Sequence, residues 1–295
     1  MTLLTSTHNP DIDRLLTGLI GIYEMAFPQQ ISAYYLLGSY TDQTAAADSD
    51  LDLIAIFSGS PDPADMARFR QLTAYCGQIT SVQLDCVPLA EATLQQGAKA
   101  SHKAGHLLYG VDVLKDVPLE PLDEHIQRCM FLAFRALHVL RGQPETLTYP
   151  LDYPDSTGEF YGYERYGSYL GGDDFGPGLR ILVTGATMIA TTLLALQTGL
   201  QAGTKGAALA LYTEHIGDEY AGYLQTLYQA CKLDWRYTIP QAEANREQLR
   251  ELCVQFLALE NHFLAACRPT LQANLQSENQ TLQHFAHECD QRIRV

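Results

Sequence analysis

The chain is short of positive charge. Across 295 residues, 19 lysines and arginines face 34 aspartates and glutamates, giving a formal net charge of −15. That deficit argues against a broad phosphate-binding surface for DNA or RNA. It suits a small and above all cationic substrate, although acidity alone also keeps a protein soluble. Cysteine is sparse and scattered: Cys76, Cys86, Cys129, Cys231, Cys253, Cys267 and Cys289 are odd in number and form no Cys-x-x-Cys. Neither a zinc site nor a disulfide framework is expected, but reduced thiols in a cytoplasmic protein. There is no internal repeat, no low-complexity tract and no Walker-type Gly-x-x-x-x-Gly-Lys-Ser/Thr. Met1 to Arg14 is polar with acids and does not read as a secretory signal. A single run, Ile181 to Thr204, lacks charge and is long enough to span a bilayer. Its threonines at 184, 187, 191, 192 and 198 and its glycines at 185, 199 and 203 point instead to a buried helix in a helical domain, with no membrane involved.

What is present is concentrated between residues 36 and 57. Leu36-Leu37-Gly38-Ser39-Tyr40 reads as a strand end and a Gly-Ser turn, and after the ten residues that follow Ser39 comes Asp50-Leu51-Asp52-Leu53-Ile54-Ala55-Ile56-Phe57. Strand alternation puts Asp50 and Asp52 on one face and Leu51, Leu53, Ala55 and Phe57 on the other, where they can be buried. Two adjacent carboxylates repel, and a divalent cation removes the repulsion. Mg²⁺ takes carboxylate oxygens together with substrate phosphates. Gly38 lets backbone N–H groups approach a phosphate, and the Ser39 hydroxyl adds a donor. A second strand-like run, Ser81 to Val87, carries Asp85; beside the first strand it completes a three-carboxylate cluster. Two metal ions held this way activate an attacking hydroxyl and stabilise the leaving phosphate. A hairpin with solvated acids would show the same residues for no chemical reason.

The ordered set Gly38, Ser39, Asp50, Asp52, Asp85 resembles the signature of the nucleotidyltransferase superfamily that includes DNA polymerase beta. The flanking pattern agrees with it. Asp11 to Met25 has helical spacing and ends at Pro28; Ile31 to Leu37 reads as the first strand. Ala64 to Gly77 reads as a helix with Met66, Phe69, Leu72 and Tyr75 on one side. Val82 to Val87 is expected to be a strand closed by Pro88, Leu89 to Ala104 a helix, and Gly105 to Val113 a strand and turn. His102, Lys103 and His106 read as a solvated loop, with a phosphate or substrate contact as the other reading.

Asp116 to Pro121 reads as a linker, after which helices dominate. Glu124 to Leu140 is helical, capped by Gly142. Thr146 to Gly178 breaks the periodicity and holds Tyr149, Tyr153, Tyr161, Tyr163, Tyr166 and Tyr169, with Asp173 and Asp174 after Gly171-Gly172. It reads either as a lining for a cationic ligand or as a loop packed by its own tyrosines. Beyond it, Arg180, Thr198, Gly199, Thr204, Lys205, Ala207 and Ala208 resemble the C-terminal helical domain of streptomycin/spectinomycin adenylyltransferases. That resemblance implies that Lys205 contacts the nucleotide triphosphate. Those enzymes place a glutamate where this chain has Asp85, so Asp85 is open as metal ligand, general base or both. Gln241 to Arg268 reads as a helix ended by Pro269, and Leu271 to Val295 as one more helix or a loose tail.

The expected fold is an α/β N-terminal nucleotidyltransferase domain over residues 1–117 and an all-α C-terminal domain over 118–295. The resemblance implies transfer of a nucleoside monophosphate, AMP from ATP with two Mg²⁺ ions, onto a hydroxyl of a small cationic or polyhydroxylated acceptor such as an aminoglycoside. Asp50, Asp52 and Asp85 would hold metal and do the catalysis; Gly38, Ser39 and Lys205 would hold phosphate. The alternatives are a nucleotide-binding regulatory module of the same fold, or a transferase acting on a protein or RNA end.

Overall fold

The computed structural model describes residues 2–45, 49–165 and 176–295. The chain divides into two compact units, Met1–Pro121 and Leu122–Val295.

The first unit is built on a four-stranded sheet. Helix α1 (Pro10–Ala26) is capped by Asn9, whose side chain accepts from the Asp11 and Ile12 amides. It leads into β1 (Ile31–Leu36). Then come β2 (Leu51–Phe57), α2 (Pro63–Gly77), β3 (Leu84–Ala90), the short α3 (Ala100–Lys103) and β4 (His106–Gly110). The strand order is β3-β2-β1-β4. β1 runs antiparallel to β2 and β4, while β2 and β3 run parallel, joined through α2. Leu51, Leu53, Ala55 and Phe57 face α1 and α2 and pack with Leu16, Ile20, Tyr23 and Phe69. Ile54 and Ile56 are also buried, on the other face, with Tyr35, Leu94, Ala98 and Leu114. β2, between β3 and β1, is thus covered on both faces.

Several boundaries differ from the sequence reading. Pro88 does not close β3 but lies within it, opposite Ala55. β3 borders the sheet, and the Leu51 amide donates to Gln83 O. The parallel ladder then uses every second residue of β3, which turns the Pro88 nitrogen outward, where no N–H is required. Leu89 to Ala104 is not one helix. It finishes β3, makes a 3-10 turn at Glu91–Gln96 and restarts as α3, because Gly97 takes φ +108. On α2, Tyr75 is exposed, and Thr73 and Cys76 are buried with Phe69. Lys103 is a structural cation: its Nζ donates to the carbonyls of Leu114, Lys115 and Val117 at 2.6, 3.0 and 2.9 Å.

The second unit contains α4 (Leu122–Leu140), β5 (Leu147–Thr148), α5 (Arg180–Thr198), α6 (Lys205–His215) and α7 (Glu219–Tyr228). A π-helical turn (Gln229–Asp234) follows, then α8 (Glu243–Leu275), α9 (Gln280–Arg292) and β6 (Ile293–Arg294). α5 is long and apolar enough to cross a membrane, yet most of it is buried against α4, α6, α7 and α8. Four of its threonine hydroxyls are satisfied by its own carbonyls: Thr187 donates to Val183 O, Thr191 to Thr187 O, Thr192 to Met188 O and Thr198 to Leu194 O. That removes the cost of burying them. Pro269 lies inside α8 rather than at its end. Cys267 and Leu271 on either side of it are buried, and their packing holds the helix through the missing amide bond. The C-terminal stretch forms α9 and β6, and β6 pairs with β5.

The irregular segment after β5 is tied down by a buried ion pair. The Arg141 guanidinium meets the Glu260 carboxylate through two bonds of 3.1 and 2.6 Å and also donates to Asp152 O. The Tyr163 hydroxyl donates to Glu260 Oε2 at 2.6 Å. The described tyrosines pack on protein: Tyr153 stacks on Tyr161, Tyr163 meets Phe256 edge-on, and Arg268 lies over Tyr149. Tyr166, Tyr169, Gly171, Gly172, Asp173 and Asp174 lie outside the described residues.

Candidate active site

The turn after β1 is set by one glycine. The Leu37 amide donates to Asp52 O at 2.9 Å, holding the end of β1 against β2. The chain then leaves the sheet through Gly38 at φ +69 and makes one 3-10 turn over Gly38–Tyr40. Both the amide and the hydroxyl of Thr41 donate to Gly38 O, and the Thr44 amide donates to Ser39 O. A Cβ at Gly38 would stand 2.0 Å from Asp52 Oδ2. The position therefore needs glycine twice, for its backbone angle and for the carboxylate lying over it. Ser39 follows, half-buried in the turn.

The acids meet across the parallel pair. Asp52 of β2 is the register partner of Asp85 of β3. Paired residues of parallel strands project from the same face. The next pair, Leu53 and Cys86, is buried under α1 and α2, so Asp52 and Asp85 share the opposite face. Asp50 is half-buried just before β2. Its charge is felt at two neighbours. Partial removal from water, and after it the charge of Asp50, raise the Asp85 carboxyl above the ordinary value. Burial, and after it the same charge, raise the Tyr40 phenol. Tyr40, half-buried against the core beside Ser39, escaped the sequence reading. Its place directly after Gly-Ser was the available signal.

Among the described residues no group of three or more His, Cys, Asp and Glu side chains is gathered closely enough to hold a metal ion alone. The arrangement fits the looser kind of site in which one or two carboxylates hold Mg²⁺ and substrate phosphates complete its shell. The paired Asp52 and Asp85 supply such carboxylates, with Asp50 adjoining.

Lys205 lies in the second unit, as the first residue of α6. Thr204 caps that helix, its hydroxyl accepting from the Ala207 amide at 3.1 Å. The Lys205 ammonium donates to Thr184 Oγ1 of α5 at 3.1 Å. A cation beside a helix N-terminus is suited to anions.

No family model matches the sequence, and no curated protein matches it. Among solved structures, the crystal structure of spectinomycin adenyltransferase AAD(9) from Enterococcus faecialis with ATP and spectinomycin is similar over 84% of this chain and 98% of that one. The identity is 11% and the TM-score 0.44.

Proposed function

We propose that the chain is a nucleotidyltransferase that moves a nucleoside monophosphate, AMP from ATP, onto a hydroxyl of a small cationic or polyhydroxylated acceptor and releases pyrophosphate. The observation that carries this reading is the pairing of Asp52 with Asp85 on one face, with Gly38 packed directly against the Asp52 carboxylate. Carboxylates so placed cost stability unless a cation joins them. Asp50, Asp52 and Asp85 would hold Mg²⁺, which when bound neutralises charge on the phosphates. The bare Gly38 backbone and the Ser39 hydroxyl receive phosphate oxygens at the turn. Asp85 would complete the metal site or take the acceptor's proton. Lys205, at the start of α6, would bind phosphate as well. The acidic balance of the chain favours a cationic acceptor. Seven cysteines, all free and buried, accord with a reducing compartment such as the cytoplasm.

Incubation with Mg²⁺, each nucleoside triphosphate and a panel of aminoglycosides and other polyhydroxylated amines tests the reading. The expected product is one acceptor heavier by a nucleoside monophosphate, with equimolar pyrophosphate. Asp85, one methylene shorter than a glutamate, favours a second reading, a nucleotide-binding module with little transfer activity. Tight nucleotide binding with no product from any acceptor would select that reading over the first.

A further inference from the structure

The sheet face that carries Asp52 and Asp85 turns apolar one step beyond them. The register pairs Asp52 with Asp85, then Ile54 with Val87 and Ile56 with Leu89 on the same face. Ile54 and Ile56 are buried with Leu94, Ala98 and Leu114, and Leu89 packs partly against the same cluster. Val87 does not follow its partner. β3 borders the sheet, and Val87 stays 41% exposed. Among the described residues of the four strands it is the one large apolar side chain so exposed. Asp85, two residues earlier, also reaches solvent. Alternate residues of a strand stand about 7 Å apart on one face. A molecule whose hydroxyl meets the Asp85 carboxylate therefore lays the adjoining part of its skeleton over the Val87 methyls. The Gly38–Tyr40 turn, which would take the phosphates, continues β1 on the other side of β2. The side of β3 is left to the acceptor.

We propose that Val87 is a specificity-determining residue, which packs on the acceptor beside the reacting hydroxyl and favours acceptors with C–H groups there over those with a further hydroxyl or ammonium. A polar group pressed on valine loses water and finds no partner, whereas a C–H face gains by leaving water. A β-branched side chain on a strand has few rotamers, so the surface it offers is fixed. The inference rests on the nucleotidyltransferase reading for the reaction and on the sheet register for the place.

The test is steady-state transfer from ATP to the panel of aminoglycosides and polyhydroxylated amines, streptomycin and spectinomycin included, by the full-length chain and by Val87→Thr. Threonine keeps the branching and replaces one methyl by a hydroxyl. The KM for the best acceptor is expected to rise about tenfold, the cost of burying that hydroxyl unpaired, with kcat and the KM for ATP nearly unchanged. Val111→Thr, at an exposed valine beyond the far end of β4, is expected to match wild type. If Val87→Thr does not melt like wild type, Val87→Ala decides: an acceptor KM raised about threefold, for the lost contact area, supports the inference, and an unchanged one overturns it. If wild type transfers and folded Val87→Thr keeps the wild-type acceptor KM, the inference falls and the functional reading stands. An equal rise in the KM for ATP also overturns it, since the contact is then to the nucleotide. Wild type that transfers to no member of the panel overturns both.

Discussion

Gly38 shows what one residue can decide. The sequence motif places a glycine beside a serine, but not the reason for it, which is that the Asp52 carboxylate occupies the space a Cβ would need. Gly38→Ala must therefore strain the backbone and displace the carboxylate at once. We expect it to lower stability by roughly 1–3 kcal/mol, measured by urea denaturation, and to reduce turnover far more than that loss of folded protein accounts for. Asp13 gives a prediction of a different kind. Its partial burial opposes ionisation, but bonds from Ser6 Oγ and from the amide and hydroxyl of Thr7 outweigh that and hold the carboxyl below the usual value. A depressed carboxyl adds stability above the unfolded-state pKa of about 3.9 and loses it as the pH falls through the folded value. Asp13→Asn should cost about 1 kcal/mol at neutral pH. The gap between its melting temperature and that of wild type should narrow as the pH falls below about 4. A gap that stays constant with pH would contradict the assignment. The Arg141–Glu260–Tyr163 cluster left no trace in the sequence pattern, because its members lie far apart in the chain. Glu260→Ala leaves a buried guanidinium uncompensated and should cost about 3–5 kcal/mol by chemical denaturation.

At the scale of elements, periodicity was informative where one face of a segment is buried, as in α1 and α4, while β1, β2 and α5, buried on more than one face, were legible from their apolar runs. The prolines misled. Pro88 and Pro269 were read as terminators, and each lies inside an element. One is on an edge strand with its nitrogen outward, and the other is in a helix locked by buried neighbours. Local propensity lost to sheet position and tertiary packing. The C-terminal strand was illegible too, since β6 is two residues long and its partner β5 lies across the unit. The Tyr149 amide donates to Arg294 O at 2.8 Å. Deleting residues 293–295 removes that bond and the pairing. We expect faster amide exchange at residues 147 to 149, with the amides of α5 unchanged.

For the molecule as a whole, composition spoke about charge and said little about the acceptor. A formal charge of −15 leaves no electrostatic drive towards polyanions, so no binding to duplex DNA is expected at roughly 150 mM salt; a gel-shift titration reads this directly. The arrangement of the candidate site in the first unit was legible: Gly38 and Ser39 lie in the turn, Asp50 just before β2, Asp52 on β2 and Asp85 on β3, an order and alternation that are sequence properties. The parallel register that pairs Asp52 with Asp85 and the coupling of Asp50 to Asp85 were not, since each depends on how separate elements come together.

The central claim is that these aspartates carry the chemistry. The most direct measurement is Mg²⁺-dependent pyrophosphate release by wild type and by Asp50→Ala, with a matched acceptor and with folding of both checked by thermal melting. The account predicts release by wild type, none above background by a variant that melts like wild type, and loss of wild-type release when the metal is chelated. Equal release by wild type and Asp50→Ala would contradict it.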